Sequence, residues 1–267
     1  MAVAGALSQS MFRNALASPS ITGTESGAAF ALALATLVAS TGTDGAGVNQ
    51  PVVYTSLGAG IATILAMTFM RRSMNGSGGL GNLLLGGFAM NAFLAAGTSL
   101  CVSILMEKGD GMTLYHWLMG SFSARSWNDA IAISIGTIIL GTISWFQAPT
   151  LDALSLGDES AKSIGINVPK VRTRLLILIA LLVGLSLSVG GALPFIGLIA
   201  PHFARLITRP HLKTLIPTAA IFGAILTVTA DFIARTVRAP IDMDVGILTT
   251  IIGAPYFMWL LYNQERA

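Results

Sequence analysis

Long apolar runs, broken by short polar stretches, fall at roughly 26–40, 50–70, 80–106, 128–147, 173–190, 193–207, 214–235 and 245–262. A helix needs about 20 apolar residues to cross a bilayer core. The runs are rich in Ala, Leu, Ile and Gly and lack strand-like alternation, so they predict eight membrane segments, some of them short. Only helices and closed barrels satisfy their backbone polar groups in lipid, and without alternation the barrel drops out. One further stretch, MAVAGALSQSMF at 1–12, is apolar and helical in character but too short to span, and no basic leader precedes it as a signal peptide would require. The chain therefore reads as beginning inside a helix, with at least one membrane helix expected upstream. The pattern predicts an all-α polytopic membrane bundle, with about eight or nine membrane helices in a single transmembrane domain over 1–267.

The most informative polar break is LSLGDESAKSIGINVPKVR at 154–172. Gly157 interrupts the incoming chain, Asp158 and Glu159 stand at the positive N-terminus of a short helix, and Gly165 suits a left-handed C-cap. Asp158 and Lys162 are four apart and are expected to pair. A helix of about seven residues is marginal alone in water and needs a surface to pack on. Local physics leaves open whether the bundle or another protein supplies that surface. A second break, NGSGGLG after Arg71 and Arg72, reads as a turn and a candidate hinge.

Composition agrees with the pattern: 54% of residues are hydrophobic, 10% are charged, and mean hydropathy is +0.75. These values lie outside the range of ordinary soluble domains. A net charge of +3 and a pI near 9.3 suggest nucleic acid at first sight, but the bases lie in short clusters between apolar runs. One side of the predicted membrane receives Arg13, Arg71, Arg72, Lys162, Lys170, Arg172, Arg174, Arg205, Arg209, Lys213 and Arg266; the other receives Lys108, Arg125, Arg235 and Arg238. The positive-inside rule puts the first set, and with it the 154–172 stretch, in the cytoplasm.

Glycines inside the runs, among them Gly86, Gly97, Gly136, Gly141 and Gly190, read as close helix packing in preference to a glycine-lined pore. Cys101 is the sole cysteine and lies in an apolar run, so disulfides and cysteine metal sites are excluded.

Catalytic patterns are missing. No GxxxxGK[ST] phosphate loop, HExxH pair or GxSxG elbow occurs, and His116, His202 and His211 are scattered, so neither ATP hydrolysis, a metal site nor a catalytic residue is expected in this chain. A charge inside an apolar run is a functional candidate by default. Asp231 is the clearest case, and Arg235 lies one helical turn on, which favours a structural ion pair over a proton relay. An ion-coupled secondary transporter would ordinarily show more buried acids or broken helices at its ion site.

LSLGDESAKSIGI resembles the cytoplasmic coupling segment of the FecCD-type permeases, the membrane subunits of type II ABC importers for iron chelates, haem and cobalamin. AVAGALSQSMFRNALASPSITG, WLMGSFSARSW, GALPFIGLIAPHFARL, LIPTAAIFGAILTVTADFIAR and VGILTTIIGAPYFMWLL resemble that family in the same order, from residue 2 to the C-terminus. The resemblance implies a bundle of ten helices per subunit working in pairs, of which this chain would lack the first helix and the start of the second. It implies no cofactor bound by this chain, with ATP and Mg in two separate ATP-binding subunits. A second permease subunit, an extracytoplasmic substrate-binding protein and the bilayer complete the partners, without nucleic acid, in a bacterial cytoplasmic membrane. The cargo expected is a ferric siderophore or similar iron chelate, with haem or cobalamin as the alternative.

By the same resemblance, Leu156, Gly157, Asp158, Glu159, Ala161 and Gly165, within a segment spanning 151–170, would contact the ATPase. Asn14 and Leu16 would form a cytoplasmic gate, although the family's intervening proline is Ala15 here. Arg235, with Arg238 nearby, would dock the binding protein. Pro201 and His202 would be structural, a helix break and a polar cap. Glu25 stands where the family has a small polar residue, and the second family constriction, which would fall near Leu80 and Gly81, is not matched.

Overall fold

The computed structural model describes residues 1–41, 58, 61, 79–109, 111–123, 125–208, 211–237 and 243–264. Seven of the eight predicted apolar runs appear there as helices; the run at 50–70, apart from residues 58 and 61, and the part of the Gly-rich turn before residue 79 lie outside the described residues.

The chain opens with α1 (Ala2–Phe12), every residue of which is buried, so this helix is packed in protein along its whole length. Arg13 ends it in a left-handed conformation at φ 51°, uncommon for a residue with a side chain. A 3-10 turn at Pro19–Thr22 leads through Gly23 into α2 (Thr24–Thr41), where Glu25 lies in the first turn.

The long α3 (Gly79–Glu107) is followed by the short α4 (Gly111–Leu118), which the run pattern does not predict. The membrane-length α5 (Trp127–Phe146) starts at a capping box: the Ser126 hydroxyl accepts from the Asp129 N–H, and the Asp129 carboxylate accepts from the Ser126 N–H. Two short helices follow, α6 (Ala148–Ser155) and α7 (Asp158–Ser163), then α8 (Val168–Gly190), α9 (Ile196–Ile207), α10 (Leu212–Val237) and α11 (Val245–Gln264).

Five helices among the described residues are long and apolar enough to cross a membrane, and α2 and α9 are shorter apolar helices. Their burial is not that of a water-soluble protein. Leu7, Met11, Leu105, Leu151, Leu154, Leu175, Ile179 and Val183 form the interior, with α1 and α8 at its centre. The outer helices α3, α5, α10 and α11 present Phe88, Ile138, Val228 and Trp259 outward, each more than half exposed. Apolar surface of that extent is tolerable only where lipid or another protein covers it.

Small residues set the helix spacing. Gly5 of α1 lies against the backbone of Gly197 in α9, and a Cβ on Gly223 of α10 would stand 2.5 Å from that of Ala2. Of the glycines expected to pack, Gly97 lies under Phe30 and Gly136 under Leu185, whereas Gly86 and Gly141 have nothing within 4 Å of a Cβ and make no close approach. The break expected at Pro201 is absent: α9 runs through it to Ile207. Pro201, with Ala200 and Ala204, is buried where α9 packs on α1 and α10, which hold the helix together past the missing N–H.

Candidate functional site

Two clusters of polar contacts stand at opposite ends of the bundle. The end that gathers Arg13, Lys162, Arg172, Arg205 and Lys213 is the basic end. There α6 is anchored by Leu151 and Leu154, both fully buried, and by Asp152, whose carboxylate accepts from the Leu212 N–H at 3.1 Å and so caps α10. The chain then turns outward. Leu156 is 76% exposed, and Gly157 sits at φ 123°, ψ 152°, a conformation essentially confined to glycine.

Helix α7 follows, six residues long where about seven were expected. Ala161 is its buried contact with the bundle, fully covered, and its N–H bonds the Gly157 carbonyl at 2.9 Å. Gly165 adopts φ 83°, as a left-handed end requires, with its N–H on the Lys162 carbonyl and the Ile166 N–H on the Ala161 carbonyl. Glu159 and Lys162 face solvent and pair with each other at 2.8 Å. The hydrogen bond to Glu159, with its charge, raises the Lys162 ammonium above the usual lysine range.

The expected Asp158–Lys162 pair is therefore not formed. The Asp158 carboxylate is taken by two arginines from elsewhere in the chain, Arg13 and Arg172, the latter at 3.0 Å. Guanidiniums offer a planar fork of donors to a carboxylate, which a single flexible ammonium does not. Composition marked Arg13 and Arg172 only as members of a basic set; their convergence is a product of the fold.

Beside this joint lies the turn that carries Asn14 and Leu16. The Asn14 N–H bonds the Gln9 carbonyl at 3.0 Å, and its side-chain oxygen accepts from the Leu16 N–H at 2.9 Å. That local bond is a substitute for the φ restriction a proline at position 15 would impose. Asn14 is exposed, Ala15 and Leu16 half-buried. One turn back, the Gln9 amide donates to the Leu198 carbonyl and accepts from Arg205 Nε at 3.3 Å, tying α1 to α9. The His202 ring of α9 packs edge-on against Tyr256 of α11 rather than capping a helix end.

At the opposite end three loops meet. The Val245 N–H bonds the Gly120 carbonyl at 2.8 Å, His116 Nδ1 lies 3.2 Å from Asp244 Oδ2, and a Cβ on Gly246 would stand 2.7 Å from the Ala192 carbonyl oxygen. Gly191, at φ 64°, packs on the Trp117 carbonyl. None of these glycines stood out in the sequence, because each fills its role through a contact between distant loops. Nearby, burial pushes the Arg125 guanidinium down from its ordinary value. Arg235 of α10 bonds Asp231 through Nε at 2.9 Å, the expected pair one turn apart, and it is 44% exposed at its side chain. Arg238 lies outside the described residues. Among the described residues no three His, Cys, Asp or Glu side chains converge as metal ligands.

The profile of the FecCD transport family matches residues 1–263. The hemin transport system permease protein HmuU of Yersinia pestis is 37% identical over 272 residues, covering 100% of this chain and 78% of its own length. The Fe(3+)-citrate import system permease protein YfmD of Bacillus subtilis is 35% identical, covering 97% of this chain and 75% of its own. The vitamin B12 import system permease protein BtuC of Vibrio cholerae is 34% identical over 99% of this chain and 78% of its own. A solved structure described as an inward-facing conformation of a metal-chelate type ABC transporter superposes with a TM-score of 0.87 at 27% identity, covering 98% of this chain and 81% of that one.

Proposed function

The chain belongs to the FecCD transport family and is the permease subunit of an ABC importer, with ATP hydrolysis in a separate subunit, and we propose that its cargo is a ferric siderophore or similar iron chelate. An ATPase and a binding protein are its partners by family. In the reading proposed, the binding protein delivers the chelate to the outer loops of a permease pair in the bacterial cytoplasmic membrane, and two ATPases, which hold ATP and Mg, dock on the cytoplasmic face.

The observation that supports the working parts is the shape of the basic end. Between residues 151 and 170 the chain leaves a deeply buried anchor at Leu151 and Leu154, exposes Leu156 and Glu159, and returns through a buried Ala161. A short helix seated on the bundle with an exposed apolar residue and a paired charge at its tip is built for a partner's groove. Leu156, Gly157, Glu159 and Gly165 would make or shape that contact, and the adjacent Asn14–Leu16 turn would narrow the passage on the same side. Arg235 and the neighbouring Arg238 would meet an acidic group on the binding protein.

Haem is the second reading for the cargo, favoured by the 37% identity to the hemin permease. The chain itself needs no affinity pocket in either case, because selection lies with the binding protein.

Expression with the cognate ATPase and binding protein in cells stripped of their own iron importers tests the proposal. Uptake of radiolabelled iron from a ferric hydroxamate or ferric citrate, lost when the ATPase is omitted, supports an iron-chelate cargo. Growth on haem or uptake of cobalamin with no chelate uptake overturns it.

A further inference from the structure

A single guanidinium holds both sides of the joint between α6 and α7. Arg13 Nε donates to the Leu154 carbonyl at 3.0 Å, in the last turn of α6, and its terminal nitrogen donates to the carboxylate of Asp158, the first residue of α7. The same residue is the left-handed C-cap of α1 and the peptide neighbour of Asn14. From Asn14 the path continues through its side-chain oxygen to the Leu16 N–H.

Arg172 closes the arrangement from α8. Its side chain is 11% exposed, it bonds Asp158 at 3.0 Å, and its Nε has no partner among the described atoms. Asp158 thus compensates a largely buried cation as well as Arg13, and it cannot leave one without exposing the other to an uncompensated neighbour. The joint is thereby fixed to α8 on one side and to the Asn14–Leu16 turn on the other.

We propose that Arg13 is a positioning residue of the transport cycle: it carries displacement of the α6–α7 joint to the Asn14–Leu16 turn, with Asp158 and the Leu154 carbonyl as its two handles. The inference rests on the reading of α7 as the ATPase contact and of Asn14 and Leu16 as a constriction. It differs from that reading in taking Asp158 off the docking surface and making it an internal tether. Transmission is expected because the path is short, one peptide bond and one tight turn from Arg13, and because the Arg13 guanidinium is tethered at two points, the Leu154 carbonyl and Asp158.

The test uses the assembled transporter, permease with its cognate ATPase, in lipid vesicles. The permease carries Leu16→Cys in a Cys101→Ser background, and the probe is the rate of N-ethylmaleimide labelling with and without ATP and vanadate. With Arg13 intact, nucleotide is expected to change that rate. In Arg13→Gln the ATPase is expected to stay bound and to hydrolyse ATP as before, while the nucleotide-dependent change in labelling shrinks by roughly fivefold or more. Arg13→Lys, which keeps the charge but not the guanidinium's fixed fork of donors, is expected to fall between the two, and it carries the test if Arg13→Gln does not fold.

An undiminished labelling change in either variant overturns the proposal. So does a labelling rate insensitive to nucleotide with Arg13 intact, or loss of the ATPase on Arg13→Gln, which would make Arg13 a docking residue. The underlying reading is checked separately by Leu156→Asp with Glu159→Lys: retention of the ATPase there overturns α7 as the contact, whatever Arg13 does.

Discussion

Gly5 of α1 and Gly197 of α9 touch backbone to backbone: a Cβ on Gly5 would overlap the Gly197 carbonyl group, and one on Gly197 would come within 3.1 Å of Pro19. In lipid, where apolar burial no longer drives helices together, such approaches supply the packing. The obstacle is backbone, not the end of a flexible side chain, so relief requires α1 and α9 to separate. Gly5→Ala is therefore expected to destabilise by about 1–3 kcal/mol, and Gly5→Leu to prevent folding. Thermal unfolding in detergent checks the order; a Gly5→Leu protein as stable as wild type would place α1 elsewhere.

Asp152 caps α10 from a different helix, accepting from the Leu212 N–H at 3.1 Å, with His211 Nδ1 3.9 Å from its other oxygen. Asp152→Ala leaves that N–H without its acceptor and is expected to lower stability by about 1 kcal/mol. Asp152→Asn keeps an acceptor and is expected to recover most of the loss. Equal Tm for Ala and Asn would show the carboxylate's role to be charge, not capping.

What the sequence made legible divides along the same line. Runs of apolar residues follow from the chemistry of a spanning helix, so α2, α3, α5 and α8 to α11 were readable, as was the Gly157–Gly165 helix with its end signals. The short α4 and α6 were not: eight residues each, they are stabilised by what they pack on, as Leu151 and Leu154 of α6 show. The Asp158–Lys162 pair was misassigned because spacing knows only its own helix, whereas Arg13 and Arg172 reach Asp158 through the fold. Gly120, Gly191 and Gly246 were unreadable for the same reason. Each is a glycine because a carbonyl from a distant loop occupies the space of its side chain.

Gly157 separates the geometry of the exposed helix from its surface chemistry. At φ 123° and ψ 152° it sits where a Cβ is disfavoured, although space around it is open, with Ser160 Oγ at 3.7 Å the nearest group. Gly157→Ala is expected to strain the backbone by about 1–3 kcal/mol and so to tilt α7 without altering its charges. Affinity for the ATPase is the measurement. Weakening comparable to Glu159→Lys means that helix orientation matters as much as its charge; unchanged affinity despite a lowered Tm means that α7 is not the contact.

Arg235 offers the sharpest test at the other end. It lies one turn after Asp231, bonded at 2.9 Å, with its side chain 44% exposed against 26% for the aspartate. An exposed pair of this kind stabilises a helix by roughly 0.2–0.5 kcal/mol, so removing it hardly affects folding. Docking a charged partner is different, because oppositely charged surfaces raise encounter rates by about tenfold or more, and salt removes the gain. Arg235→Glu is expected to slow association of the binding protein with the reconstituted permease at low salt, and the difference from wild type is expected to close as salt rises. Asp231→Asn, which removes a negative charge beside the guanidinium, is expected to leave association at or above the wild-type rate. If both variants slow association equally at every salt concentration, the pair acts through the shape of α10, and the docking charge lies elsewhere on the outer loops.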